Sequence, residues 1–318
     1  MIGITGGTGF VGRILVERHL AKGDIVKVLS RQPADAANLP KNIELIRADL
    51  TYPSKEINEF ADSLDILYHC AGETMEPSRM YALNVLGTDH LIAAAKGKVR
   101  HWVQLSTVSV YGPNSSGIVN EQSMLNPTSR RRDLHVYAQT KMASDNRVIA
   151  AARDCGFTYS ILRPSKILGP GMNDRSLDQL ITLINRGLFF FIGQPGASAN
   201  YVHVDNVVDA LMLCGQLFRA REEIYNLSDY TTLEHVVEVI CHELGIKTPK
   251  LRLPEFLVRS VAKPLQRIQN FPLTEFRIAG MTHRPVYSDE KIRNQLGFVH
   301  KVSIDEGLRQ LVKIWKQS

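Results

Sequence analysis

Ile2-Gly3-Ile4-Thr5-Gly6-Gly7-Thr8-Gly9-Phe10-Val11-Gly12 stands at the start of the chain, and its reading decides the fold. An apolar strand runs into a glycine turn that opens a helix. Gly6, Gly9 and Gly12 recur at three-residue spacing, and Gly7, Gly9 and Gly12 also satisfy G-x-G-x-x-G, whose missing Cβ atoms let backbone approach a pyrophosphate. The helix that follows, expected from Phe10 to Lys22, would aim its positive N-terminal dipole at the same group. A glycine turn alone is weak evidence, because many tight strand-to-helix turns use glycine without a ligand. Its context strengthens it: Val11, Ile14, Leu15, His19 and Leu20 keep helical spacing, and a second apolar strand, Ile25 to Leu29, completes a βαβ unit of about 30 residues. No Lys-Ser or Lys-Thr follows the glycines, which excludes the phosphate-binding loop of nucleotide hydrolases.

Just past that unit, nucleotide-binding folds commonly place an acidic residue for the ribose 2′-hydroxyl, and this chain has Ser30 and Arg31. An arginine there suits a 2′-phosphate, so NADP is favoured over NAD. Strands expected over Ile43 to Arg47 and Leu64 to His69 end in Ala48-Asp49-Leu50 and Cys70-Ala71-Gly72. Small or polar strand ends mark a parallel sheet whose carboxyl edge carries the ligand. Asp49 is placed to accept from an adenine amine, and Ala71-Gly72 is thin enough for a cofactor to lie flat.

Farther along, a helix is expected from about Ser78 to Lys98 and a fifth strand from Arg100 to Ser106. A polar loop through Pro113, Asn114, Ser115, Ser116 and Gly117 then runs to about Arg132, long enough to be functional. Next come a helix from Leu134 to Cys155 and a sixth strand from Phe157 to Leu162. Beyond Arg163-Pro164 the pattern changes to helices near 174–187, 205–219, 231–244, 254–268 and 303–317, with short strands at Phe189 to Ile192 and Ile224 to Leu227. The expected architecture is α/β: a doubly wound parallel sheet over 1–165, to which segments near 200–230 return, and a smaller mixed α/β lobe over 166–318 that binds substrate.

The chain has 318 residues, 44% of them hydrophobic, enough for a real core, and its formal charge of +6 suits an anionic ligand without requiring nucleic acid. Cys70, Cys155, Cys214 and Cys241 are widely spaced with no C-x-x-C pair, which reads as reduced thiols. His69, His135 and His203 lack metal-ligand spacing, so no metal site is expected. A first strand beginning at residue 1 or 2 leaves no room for a signal peptide, and no apolar run reaches a membrane span, so a cytoplasmic location is expected.

Tyr137-Ala138-Gln139-Thr140-Lys141 puts tyrosine and lysine on one helical face. A phenol with pKa ~10 is a poor base at neutral pH, and lowering it by about three units needs ~4 kcal/mol of preferential anion stabilisation. The Lys141 ammonium and a positive nicotinamide ring could supply that. Thr107, at the end of the fifth strand, could share a hydrogen bond with the substrate oxygen. Each feature has a bland alternative, since Y-x-x-x-K arises by chance and a threonine often caps a turn. Their order along the chain is the stronger signal.

With these residues in place the chain resembles the extended short-chain dehydrogenase/reductase superfamily, and within it the NAD(P)-dependent epimerase/dehydratase branch, which has a Rossmann fold. The markers are the glycine turn, Asp49-Leu50, Cys70-Ala71-Gly72, Asn84-Val85-Leu86-Gly87-Thr88, Ser106 to Gly112, Tyr137 with Lys141, and Arg163-Pro164 through Gly171. Tyr201 to Val208 and Asp289-Glu290-Lys291 to Leu296-Gly297-Phe298 extend the likeness. The resemblance implies a catalytic Thr107, an acid/base Tyr137, and a Lys141 that holds the nicotinamide ribose and tunes the tyrosine. It further implies a cofactor cleft drawn from Gly6, Gly9, Phe10, Val11, Arg31, Asp49, Leu50, Ala71, Gly72, Asn84, Tyr137, Lys141 and Pro164, with Asn84 helping to order water near the lysine. A homodimer is compatible with it.

Departures narrow the reaction. Relatives that eliminate water or decarboxylate carry acids just after the catalytic threonine, whereas this chain has Val108 and Ser109. Arg31 departs from epimerases that retain NAD, which usually carry an acid there. Two substrate classes stay open: carbon 4 of a nucleotide-linked or lipid-linked sugar, and the alcohols and ketones handled by 3β-hydroxysteroid dehydrogenases and dihydroflavonol reductases. Arg130, Arg131, Arg132, Arg163, Lys166 and Arg284 offer cations for a diphosphate, which tips the reading toward the sugar class, and sugar-like C-terminal segments outweigh Arg31 in favour of epimerisation by a slim margin. Thr107, Arg130, Lys166 and Arg284 are the candidate substrate contacts. A non-catalytic NADP-binding regulator is disfavoured by the intact Tyr137 and Lys141.

Overall fold

Seven parallel strands organise the molecule in the order β7-β6-β5-β4-β1-β2-β3, where β1 is Ile2–Thr5, β2 Val26–Ser30, β3 Glu44–Arg47, β4 Leu64–His69, β5 Val99–Leu105, β6 Thr158–Pro164 and β7 Glu223–Leu227. The computed structural model describes residues 1–33, 39–112, 117–129, 131–172, 175–265 and 275–317. Strand order reverses between β1 and β4, the switch point at which a doubly wound sheet opens a crevice at its carboxyl edge. This is the Rossmann-type α/β fold expected from the sequence.

Both faces of the sheet are covered, which is why β1 and β2 are buried along their whole length. On one face Ile4, Val28 and Val103 pack with Leu15 of the helix Phe10–Ala21 and with Val207 and Leu211 of the helix Val204–Gln216. On the other, Leu67 and Trp102 meet Phe60, Leu91 and Val148 from the helices Lys55–Ala61, Gly87–Ala95 and Arg132–Cys155. Trp102 is fully buried and stacks on Phe157 at 5.4 Å, so Trp102→Ala is expected to cost about 3–5 kcal/mol.

A further core gathers Leu177, Ile181 and Ile184 with Val236, Ile240, Leu308 and Val312, joining the helices Ser176–Asn185, Leu233–Leu244 and Ile304–Gln317. Beside it lies a three-stranded sheet in which Ser198–His203 runs parallel to Lys166–Leu168 and antiparallel to Asp229–Thr232. Arg18 bridges to Asp205 at 2.8 Å and Asp209 at 2.9 Å, tying the first helix to the helix Val204–Gln216. Asn206 holds the segment after Phe298, accepting from Lys301 N–H at 2.9 Å and donating to the Val302 carbonyl at 2.6 Å. The Tyr201 to Val208 signature therefore does packing work.

Several boundaries differ from the sequence reading. The sixth strand extends to Pro164 because Arg163 and Pro164 pair with Asn226 and Leu227 of β7. The long helix begins at Arg132, so Arg132 belongs to a helical turn and not to the loop before it. The helix expected from Ser78 to Lys98 has three parts: α-helix Pro77–Tyr81, a π turn Ala82–Leu86 and α-helix Gly87–Ala95. Short elements with little periodicity, among them Ser198–His203 and the helices Glu275–Thr282 and Glu290–Leu296, were not anticipated.

Candidate active site

The glycine turn explains itself first as packing. A Cβ on Gly12 would stand 2.2 Å from the Gly6 carbonyl oxygen, and Gly6 holds φ +70 against the backbone of Ala71. Gly9 is different: a Cβ there meets only the Gly6 oxygen at 3.2 Å, and the residue is exposed as the N-cap of the first helix. Its bare backbone faces a cleft of about 240 Å³ lined by Gly6, Thr8, Gly9, Leu29, Ser30, Arg31, Ala48, Leu50, Cys70, Ala71, Gly72 and Leu83. The ends of β1 to β4 thus meet at one crevice beside the switch point, with Phe10 and Val11 opening the helix behind it. Thr8, Leu29 and Leu83 join this lining without having been singled out in the sequence.

Arg31 is exposed at the mouth of the cleft. Asp49 Oδ1 accepts from the Thr51 N–H at 2.9 Å and hydroxyl at 2.8 Å. Burial pushes its carboxyl up, but the Thr51 bonds and the nearby Arg31 and Arg79 charges outweigh it and hold the group below its ordinary value. Asn84, inside the π turn, donates to the Glu73 carbonyl at 3.0 Å and to Thr140 Oγ1 at 3.1 Å, and accepts from Glu73 N–H at 2.7 Å. Its amide clamps the chain after Gly72 to the long helix, and π turns often mark such sites.

Thr107, Tyr137 and Lys141 come together where β5 meets the long helix. Thr107 is extended and nearly buried; its Oγ1 donates to Ser109 Oγ and accepts from Ser109 N–H, both at 3.1 Å. Tyr137 is half-buried. Burial pushes its phenol up to about 12, against a hydrogen bond with Thr107 that draws it down. Lys141 Nζ donates to the Leu105 carbonyl at 2.5 Å, two residues before Thr107, and burial lowers its pKa against the pull of Asp145.

Asp145 completes a row at 137, 141 and 145 along one helical face, and sequence reading missed it. It is fully buried, accepts from Ser106 Oγ at 2.7 Å, and takes Arg163 Nε and Nη2 at 3.3 Å on the same Oδ2. Its Oδ1 has no hydrogen-bond partner among the described residues. Burial raises the carboxyl while Arg163 and Lys141 oppose that shift. The available signal was a carboxylate one turn beyond Lys141 in a helix face that otherwise faces the core.

The other cations named from sequence have local duties. Arg163 is buried; beyond Asp145 it donates to Tyr111 Oη at 3.2 Å, and Tyr111 donates to Asn226 Oδ1 at 2.8 Å. Arg284 braces a turn by donating to the Pro195 and Gln194 carbonyls at 2.8 and 2.9 Å. Lys166 bonds Ser176 Oγ, and Arg131 bonds Asp133. Pro164 closes β6 opposite Leu227. Arg130 and the loop residues 113–116 lie outside the described residues.

His69, at the end of β4, contacts Thr5 Oγ1 at 2.7 Å and Thr88 Oγ1 at 3.2 Å. Burial, with Lys141 adding to it, takes its pKa down to about 3. Burial likewise takes His101 down to about 4. The unfolded chain therefore binds protons first as pH falls below about 6.5, and stability should drop by up to ~1.4 kcal/mol per pH unit per histidine until the folded values are reached. Thermal midpoints measured from pH 7 to pH 4 check this, and a flat profile would contradict it.

Residues 2–228 match the model of the NAD dependent epimerase/dehydratase family. The chain belongs to that family. It is thereby an enzyme of the extended short-chain dehydrogenase/reductase type. Among curated relatives, human short-chain dehydrogenase/reductase family 42E member 1 is 28% identical over 330 residues, covering 93% of this chain and 82% of that protein. The 4-hydroxy-2-methyl-3-oxo-4-farnesyl-3,4-dihydroquinoline-1-oxide ketoreductase of Stigmatella aurantiaca is 25% identical over 322 residues, covering 97% and 94%. UDP-glucose 4-epimerase of Thermotoga maritima, solved with UDP-glucose, shares the fold at a TM-score of 0.76 and 21% identity, covering 99% and 98%. No described helix is long and apolar enough to cross a membrane.

Proposed function

We propose that this family member is an NADP-preferring reductase or dehydrogenase acting at one secondary alcohol or ketone of a lipophilic substrate, with the parts of 166–318 outside the helix Val204–Gln216 and β7 serving as its substrate lobe. The observation that supports it is that Thr107, Tyr137 and Lys141 meet at the end of β5 with no acid at 108 or 109, and that the Tyr137 phenol is pushed up to about 12. At neutral pH the residue is ready as an acid. Working as a base it would need ~7 kcal/mol of anion stabilisation, to be met by the Lys141 ammonium and a bound cofactor.

The cleft residues fit a dinucleotide: Gly9 leaves room for a pyrophosphate at a helix N-terminus, and Ala71-Gly72 gives a thin wall beside Leu50. When bound, the nicotinamide supplies or takes up the hydride. Thr107 orients the substrate oxygen, Tyr137 delivers its phenolic proton to that oxygen during reduction, and Lys141 stabilises the phenolate left behind. Asp145 holds the charge on Lys141. Val108 and Ser109 supply no further acid, so the chemistry ends at one hydride and one proton.

The sequence leaned toward a sugar diphosphate because of its cations. Arg163 is sealed in the core, Arg284 braces a turn, and Lys166 and Arg131 have side-chain partners, which weighs against that lean. The Stigmatella relative is a ketoreductase, which supports the reductase reading. Hydroxysteroids, isoprenoid ketones and UDP-sugars should be screened by thermal shift with NADP present. Stabilisation by UDP-sugars alone would overturn the substrate class.

Arg31 supports NADP through its place at the cleft mouth. Arg31→Asp should raise the NADP dissociation constant relative to that for NAD by about tenfold or more, the loss of one charge-assisted phosphate contact. Isothermal titration with both dinucleotides reads the ratio, and an unchanged ratio would make Arg31 an ordinary surface residue.

A further inference from the structure

We infer that the helix Glu255–Leu265 is a membrane-surface docking element whose apolar ridge enters the interface of an anionic lipid bilayer. The helix has two unlike sides. Val258 and Ala262 face inward onto Ile192 and Ile278, and Glu255 pairs with Arg259 at 2.7 Å along the edge. On the remaining side Phe256 is 68% exposed, Leu257 49% and Val261 59%, with only Ser260 polar between them. Three large apolar side chains in one solvent-facing stripe cost solubility for no gain in the core.

The stripe does not stand alone. The helix is fed by Arg252–Leu253, which pairs in parallel with Phe191–Ile192, and the Phe191 N–H donates to the Leu251 carbonyl at 2.9 Å. Leu251 is 59% exposed, and Leu188, three residues before Phe191, is 60% exposed. Apolar side chains thus continue from the helix onto the ribbon beside it.

Charge selects the partner. From Gly245 to Leu251 the chain carries Lys247 and Lys250 and no acid, while Arg252 and Arg259 beyond it are paired with Glu234 and Glu255. Lys247 and Lys250 are exposed beside Leu251, and Arg186 is exposed beside Leu188. An amphipathic helix with Phe, Leu and Val on its outer face and lysines at its flank matches the chemistry of interfacial helices, in which apolar side chains enter the acyl boundary and cations meet anionic headgroups. A second protein with a matching acidic groove would satisfy the charges but would need a preformed pocket for Phe256; a fluid lipid interface needs none. The inference stands apart from the substrate reading, and its test uses no turnover.

The full-length protein should float with vesicles of phosphatidylglycerol and phosphatidylcholine, and bind phosphatidylcholine vesicles weakly. Raising the salt concentration should release it. Phe256→Ser with Leu257→Ser and Val261→Ser should lower partitioning at least about tenfold. Lys247→Glu with Lys250→Glu, at exposed positions that do not touch the core, should lower it by about tenfold or more on anionic vesicles only. Thermal unfolding and NADP binding of each variant show that the fold is intact. Parent protein that stays in solution with both vesicle types overturns the inference. So do folded variants that float as well as the parent, or a concentration-dependent dimer that the triple variant abolishes.

Discussion

Tyr137→Phe is expected to lower kcat by about 10²–10⁴-fold while leaving NADP affinity nearly unchanged. The substitution removes one hydroxyl from a half-buried side chain and no packing volume. Thr107 keeps its bonds to Ser109, and Lys141 keeps its bond to the Leu105 carbonyl. What disappears is the only phenol on the helix face that carries Lys141, and with it the proton the substrate oxygen must receive. Rate and cofactor titration should be measured on one preparation. Turnover held at about a tenth of the parent or more would take Tyr137 out of the proton-transfer step.

Asp145→Asn should have a large effect on stability and a second effect that packing alone cannot produce. The change conserves volume but leaves the Arg163 guanidinium and the Lys141 ammonium facing each other's field without the carboxylate between them. Removing one partner of a buried pair typically costs about 3–5 kcal/mol, and Asp145 is fully buried. Lys141 would also lose the neighbour that raises its pKa, so its charge should be lost at lower pH than in the parent. The alkaline limb of kcat/KM should therefore move to lower pH in Asp145→Asn and return toward the parent in Asp145→Glu. A variant that melts early yet keeps the parent's pH profile would make Asp145 a structural residue only.

The βαβ start was legible because each level agreed: apolar strands, helical spacing, and glycines where a Cβ would strike backbone, as at Gly12. Thr107, Tyr137 and Lys141 were legible from their order, and the structure brings all three to the end of β5. Asp145 was not, because a lone carboxylate on a helix carries no period and its meaning depends on Arg163, 18 residues away and on another element. The cations illustrate the opposite error. Arg163 and Arg284 look free in a sequence, but one lies against a buried carboxylate and the other on two backbone carbonyls, and neither partner is near in the chain. The strand Ser198–His203 was missed because its sheet is three short strands with little apolar alternation, stabilised by pairing to Lys166–Leu168 and Asp229–Thr232.

The claim that this site moves one hydride and one proton with an exchangeable cofactor can be tested with the best ketone or alcohol from the screen and substoichiometric NADPH or NADP. Product is followed by NMR alongside the absorbance of the reduced nicotinamide. Product should be capped at one equivalent of cofactor, with a matching absorbance change. Product exceeding the cofactor many times over, with steady absorbance and inversion at the reacting carbon, would contradict it and make the enzyme an epimerase.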